Sequence, residues 1–195
     1  MKHPILALLA ATTLAAAALP AQAALKAGDT APDFTLQASL AGKAFQYSLA
    51  DALKKGPVVV YFYPSAFTGG CNLQAHTFSE HRADFDAAGA SVIGVSLDSI
   101  ARLNDFSADP QYCAGKVAVA SDAEGKTAKG FDLKVQSAPG PMQDSRGVTI
   151  DHDFAERTTF VVGADRKVLA TIGGVSPSEN VKAALKFVQE LPKAK

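Results

Sequence analysis

The chain has 195 residues, with 19 basic and 19 acidic side chains and no tryptophan. A net charge of zero supplies no electrostatic footprint for nucleic acid or for an anionic membrane surface. Two cysteines are too few for a disulfide-stapled mini-protein, so each thiol needs its own account.

Residues 1–23 read as an export segment. "MKH" gives a short positive start, "PILALLAATTLAAAAL" an apolar stretch, and "PAQA" an A-x-A site ending at Ala23. The apolar part is short and alanine-rich against the roughly 20 strongly apolar residues of a membrane span, so no stable membrane insertion is expected, with a retained N-terminal anchor as the alternative. Residues 24–195 then form one domain of ordinary size.

That domain opens on "GDTAPDFTL", turn residues leading into a short strand near 33–36. "KAFQYS" (43–48) pairs with it across "SLAGK" as an N-terminal hairpin. "LADALKKG" reads as a short helix ending at Gly56, and "PVVVYFYP" as a central strand buried on both faces. Cys71, Ala75, Phe78, Arg82 and Phe85 recur at three or four residues, which predicts a helix from Cys71 to about Gly89. "SVIGVSLD" (91–98) is a buried strand, "SIARLNDFSAD" a helix, "KVAVASD" (116–122) a third apolar strand followed by "EGKTAKGFDL". Alternating strands and helices predict a parallel or mixed sheet with helices on its faces. Residues 134–155, rich in Gly, Pro, Ser and Asp, predict a long loop or insertion. "RTTFVVGADRKVLATIGG" is a hairpin turning at "GADRK". The last helix has Ser176 as N-cap, Pro177 first and Glu179 third, and buries Val181, Ala184, Leu185 and Val188.

The chemistry gathers at "YFYPSAFTGGCNLQAH" (61–76). A thiolate is the reactive form of cysteine, and the first turn of a helix, with unpaired N–H groups and the positive end of the dipole, favours an anion. Glycines 69 and 70 let the backbone turn sharply there, Thr68 carries a hydroxyl three residues upstream, and Pro64 closes the strand and shields the site. Strand, loop and helix place Cys71 at the carboxyl end of a central strand, where open α/β sheets bind ligands. The alternative reading is a cysteine packed as a small apolar residue.

Pro64, Thr68 and Cys71 in the pattern P-x-x-x-T-x-x-C resemble the active-site signature of the peroxiredoxins (AhpC/TSA superfamily), thiol peroxidases with a thioredoxin-like fold. "APDFTL" (31–36), "VVVYFYP", "VIGVSLD" and "VASDAEGKTAKGFDL" resemble further blocks of that family, and "ERTTFVV" (156–162) its R-x-T-F block. "FYPSAFTGGC" is most similar to the bacterioferritin comigratory protein (PrxQ) branch. The resemblance implies a thioredoxin-like α/β fold, a mixed sheet flanked by helices, no cofactor, and a peroxidatic Cys71 that attacks a peroxide. It also implies that Arg157, Thr68 and helix-start N–H groups stabilise the charge on sulfur and on the leaving oxygen.

Two positions depart from the branch. His76 stands where many members carry a resolving cysteine, and Gln74 stands where a glutamate is common. Some members carry the resolver after the second core strand, where "DPQYCAGK" falls, so the resemblance implies that Cys113 resolves the Cys71 sulfenic acid within the chain. The alternatives are a one-cysteine peroxidase with an external thiol, or a non-catalytic exported module with a structural Cys71–Cys113 bridge. C-x-x-C and C-x-x-x-C motifs are absent, which disfavours disulfide exchange and copper delivery. His76 and His81 lie five apart, off metal-pair spacing, and with His152 they are expected to be solvated, with no metal bound. The expected partners are a peroxide and a thioredoxin-like or other thiol reductant, the compartment the periplasm, and the assembly a monomer or homodimer.

Overall fold

The computed structural model describes residues 23–138 and 140–192. In chain order the elements are β1 (Thr35–Leu40), β2 (Lys43–Ser48), α1 (Leu49–Leu53), β3 (Val58–Phe62), α2 (Gly69–Glu80), α3 (Arg82–Ala87), β4 (Ser91–Ser96), α4 (Ile100–Ala108), β5 (Ala118–Ser121) and α5 (Lys126–Gly130). Four two-residue strands follow: β6 (Val135–Gln136), β7 (Met142–Gln143), β8 (Thr149–Ile150) and β9 (Phe154–Ala155). The chain closes with β10 (Thr158–Val162), β11 (Val168–Gly173) and α6 (Pro177–Glu190).

Seven strands form one mixed sheet in the order β11-β10-β3-β4-β5-β1-β2. The three central neighbours β3, β4 and β5 run parallel, and both edges are closed by antiparallel strands. Helical crossovers join the parallel strands, as parallel pairing requires. The expected α/β thioredoxin-like architecture with an N-terminal hairpin is therefore present.

Period-2 alternation sorts the core into two layers. Val59, Tyr61 and Tyr63 point to one face, against Ala75, Phe78, Phe85, Leu103, Phe106, Val181 and Val188 of α2, α3, α4 and α6. Val58, Val60 and Phe62 point to the other, against Leu49, Leu53, Ala128, Phe131 and Phe160. Every residue of β3 is buried, and each large apolar side chain so placed contributes about 1.5–3 kcal/mol. Both cysteines belong to the first layer.

Three expectations need correction. The strand placed near 33–36 runs from Thr35 to Leu40, because Ala41 (φ 51°) and Gly42 (φ 78°) make a two-residue turn whose twist suits a hairpin. The helix after Cys71 does not reach Gly89 unbroken: His81 leaves helical geometry, its ring held 2.8 Å from Asp84, and the chain restarts as α3. Arg82 on its expected inward stripe is only partly buried and pairs with Asp86. Within the expected loop of 134–155 the described residues form two nested ribbons, β6 with β9 and β7 with β8. Strands of two residues are too short to show a period. The export segment lies outside the described residues except Ala23, and no helix among the described residues is long and apolar enough to cross a membrane.

Candidate active site

β3 ends at Phe62, and Tyr63–Pro64 carry the chain out of the sheet. The loop Ser65–Phe67 then turns back, with Phe67 in the left-handed region at φ 60°, a costly conformation for a bulky side chain. It is held from outside: Ser145 N–H donates to the Phe67 carbonyl at 2.9 Å, and the Arg146 guanidinium lies 3.4 Å above the Phe67 ring. Thr68 is the N-cap of α2, and Cys71 is the third helical residue, 2% exposed.

Thr68 does not cap with its side chain; its hydroxyl donates to the Ser65 carbonyl at 2.8 Å rather than to the sulfur. The first N–H groups of α2 therefore keep no intrahelical or side-chain acceptor, and together with the dipole they make the site beside Cys71 receptive to negative charge. Pro64 is half-buried at the exit of β3.

Arg157 precedes β10, and alternation puts it on the same sheet face as Thr159, Val161 and Tyr61. Its Nη2 donates to Cys71 Sγ at 3.3 Å, while Nη1 donates to Gln74 Oε1. Gly70 eases the approach, since a Cβ there would sit 3.1 Å from Nη2, tighter than ordinary contact. Gln74, fully buried, passes the chain of hydrogen bonds to Asn180 of α6 at 3.0 Å, and Asn180 also accepts from Thr159. The structure thus brings Cys71, Arg157 and the helix start together, with Thr68 turned back to the loop.

The loop rests on a second cluster. Asp98 accepts from Ala66 N–H at 2.8 Å, Ser96 Oγ at 2.7 Å, Ser65 Oγ at 3.1 Å and His152 Nε2 at 2.9 Å, and pairs with Arg102 Nε at 2.7 Å. Arg102 also reaches the Ala66 carbonyl and Asp144, which holds Arg146 in turn. His152 is a correction to the expected solvated histidine, because its side chain is only 13% exposed. Its Nδ1 faces the Asp153 carbonyl and its Nε2 the Asp98 carboxylate, two acceptors, an arrangement that favours the doubly protonated, cationic ring. Burial alone would push His152 down, but the Asp98 hydrogen bond and charge outweigh it and hold the ring above its ordinary value. Burial likewise opposes the Asp98 charge, and His152, Ala66 and Ser96 outweigh it to hold that carboxyl low. Ser65, His152 and Asp98 are no hydrolytic triad, since Ser65 and the carboxylate share one ring nitrogen.

Cys113 follows α4 and is fully buried, and both cysteines are free thiols. Burial, then the nearby Asp109 carboxylate, pushes the Cys113 thiol well above its ordinary value. Ala114 (φ 51°) and Gly115 (φ 67°) turn the chain directly after it.

Asp98, Arg102, Asp144, Thr159 and Asn180 were not legible as site residues. Thr159 and Asp98 left a trace, as members of the "ERTTFVV" and "VIGVSLD" blocks.

The AhpC/TSA family model matches residues 27–171. Peroxiredoxin Bcp of Escherichia coli is 28% identical over 166 residues, covering 85% of this chain and 97% of that protein. The crystal structure of peroxidoxin BcpB from Mycobacterium tuberculosis superposes with a TM-score of 0.72 at 29% identity, over 87% of this chain and 99% of that one. Peroxiredoxin Q of Xanthomonas campestris gives a TM-score of 0.64 at 25% identity, over 80% and 89%.

Proposed function

The chain belongs to the AhpC/TSA family and is a thiol peroxidase, and from that premise we propose that Cys71 is its peroxidatic residue and Cys113 its resolving one. The observation that carries the reading is the Arg157 guanidinium on the Cys71 sulfur at the open start of α2. The Cys71 thiolate attacks one peroxide oxygen in line. An S–O bond forms, the O–O bond breaks, sulfur is oxidised to the sulfenic acid, and the departing oxygen takes a proton from solvent to leave as water or alcohol. Arg157 Nη2 and the helix-start N–H groups stabilise the charge that moves from sulfur to that oxygen. Thr68, tethered to Ser65, fixes the loop and the cap position, and half-buried Pro64, just past the end of β3, shields the site from water on one side.

Cys113 then attacks the sulfenic sulfur, giving a disulfide and water, and a dithiol of thioredoxin type returns two electrons. Both thiols are buried and unbridged, so on this reading the chain opens locally to join them, with the Ala114–Gly115 turn and the first turn of α2 as the segments that yield. Opening also lifts the burial that keeps Cys113 protonated. We further assign residues 1–23 to export and the mature chain to the periplasm, supported by the positive start, the apolar run and the A-x-A site.

The reduced mature protein, given one equivalent of hydrogen peroxide, is expected to lose two hydrogens by intact mass. A non-reducing map is expected to link the Cys71 and Cys113 peptides. One oxygen gained on Cys71 alone would keep the peroxidase and remove Cys113 from the cycle. No change within seconds would overturn the reading.

A further inference from the structure

Gln74 stands beside Arg157 as a neutral amide. A carboxylate offers an acceptor whichever way it turns, but an amide offers one only in one of two orientations. Flipped, Gln74 would aim its NH₂ at a guanidinium that can only donate, and one arm of Arg157 would lose its acceptor.

The hydrogen bonds beyond Gln74 settle the orientation. The Ile172 carbonyl can only accept, and Asn180 Nδ2 donates to it at 2.9 Å. That fixes Asn180 Oδ1 on the opposite side, where two donors meet it: the Thr159 hydroxyl and, at 3.0 Å, Gln74 Nε2. With Nε2 committed, Oε1 faces Arg157 Nη1, and the fork turns Nη2 to Cys71 Sγ at 3.3 Å. The polarity of the chain is therefore set at a backbone carbonyl of β11 and transmitted through α6 and α2. Asn180 is 1% exposed, Gln74 and Thr159 0%, so no water competes for these groups.

We propose that Asn180, with Thr159, is a positioning residue of the peroxidase site, locking the Gln74 amide with its oxygen toward Arg157. The proposal rests on the assignment of Arg157 to Cys71 above. It makes a prediction with a change of sign. Gln74→Glu in the native background puts a second carboxylate oxygen against Asn180 Oδ1 with no proton between them, and should slow the reaction. In an Asn180→Leu background, of similar side-chain shape, that conflict is gone and either carboxylate oxygen serves Arg157. There Gln74→Glu should speed the reaction.

The test measures the reduced protein twice: the peroxide rate by stopped flow, and the Gln74 side-chain NH₂ signal in ¹H–¹⁵N spectra, assigned by its loss in Gln74→Glu. Native protein should show an exchange-protected Gln74 signal. Asn180→Leu should lose that protection and slow the peroxide reaction about tenfold to a hundredfold while melting cooperatively. Gln74→Glu should restore most of the rate in that background only. An unchanged signal and rate in folded Asn180→Leu, or the same effect of Gln74→Glu in both backgrounds, overturns the proposal. If Asn180→Leu does not fold, Thr159→Val removes one of the two donors to Oδ1 at nearly constant shape. It should move both readouts the same way, and no movement overturns the proposal. A native protein inert to peroxide would refute the function but leave the Gln74 signal to report on the relay.

Discussion

In the proposed reaction Arg157 acts through the planarity of its guanidinium, which reaches Gln74 with one nitrogen and Cys71 with another. A lysine ammonium is a compact point charge and cannot span both acceptors in that plane. Arg157→Lys is therefore expected to lower the second-order rate with hydrogen peroxide about a hundredfold, with thermal stability nearly unchanged, as read by stopped flow and calorimetry. A rate within a factor of two or three of native would show that charge alone suffices. Gly70 belongs to the same constraint, because a Cβ there would crowd the guanidinium and push it by a few tenths of an ångström.

Between elements, the main device is the attachment of the 134–155 ribbons to the loop that precedes α2. Ser145, Arg146 and His152 come from the ribbons, Asp98 and Arg102 from the end of β4 and from α4, and all converge on Ser65–Phe67. Such buried charge costs desolvation and returns little net stability, but it leaves the loop one satisfied arrangement. Its pH dependence follows from the two shifts. His152 titrates above its unfolded value of about 6.5, so its contribution is full below that pH and fades as pH rises through the folded value. Asp98 titrates below its ordinary value, so its contribution is present above the usual carboxylate range and fades as pH falls through the folded value. The stability difference between native protein and His152→Gln is thus expected to be largest between those limits, roughly 1.5–3 kcal/mol, and to shrink as pH rises through the folded His152 value. Denaturant melts across that range would check it, and a gap that widened with rising pH would contradict the cationic ring.

On the scale of the whole molecule, the sheet separates the proposed site from a second apolar layer. Cys71, Cys113, Arg157, Thr159 and Asn180 lie on one face, while the other is filled by α1, α5 and phenylalanines packed at tilted and edge-on angles. Phe131 sits fully buried in that second layer, its ring 4.9 Å from Phe160 and 5.1 Å from Phe62. Phe131→Ala should cost about 3–5 kcal/mol in unfolding free energy while the peroxide rate per folded molecule stays native. A matching fall in rate would mean that the sheet transmits strain between its faces.

The uninterrupted apolar run of β3 marked a strand buried on both sides, the glycines before Cys71 marked a helix start, and Ser176, Pro177 and Glu179 marked the final helix, whose capping box forms. These are local signals, set by period, turn chemistry and caps within a few residues, and they determined the fold class and the place of the thiol. Resemblance to a family added Arg157. The sequence alone left open what surrounds the guanidinium and the loop: Gln74 meets Asn180 across 106 positions and His152 meets Asp98 across 54. A buried polar group must find a partner, yet nothing local says which one, because directional hydrogen bonds are satisfied only after distant elements pack. Tertiary structure alone decided which way an amide faces and which histidine meets a buried carboxylate.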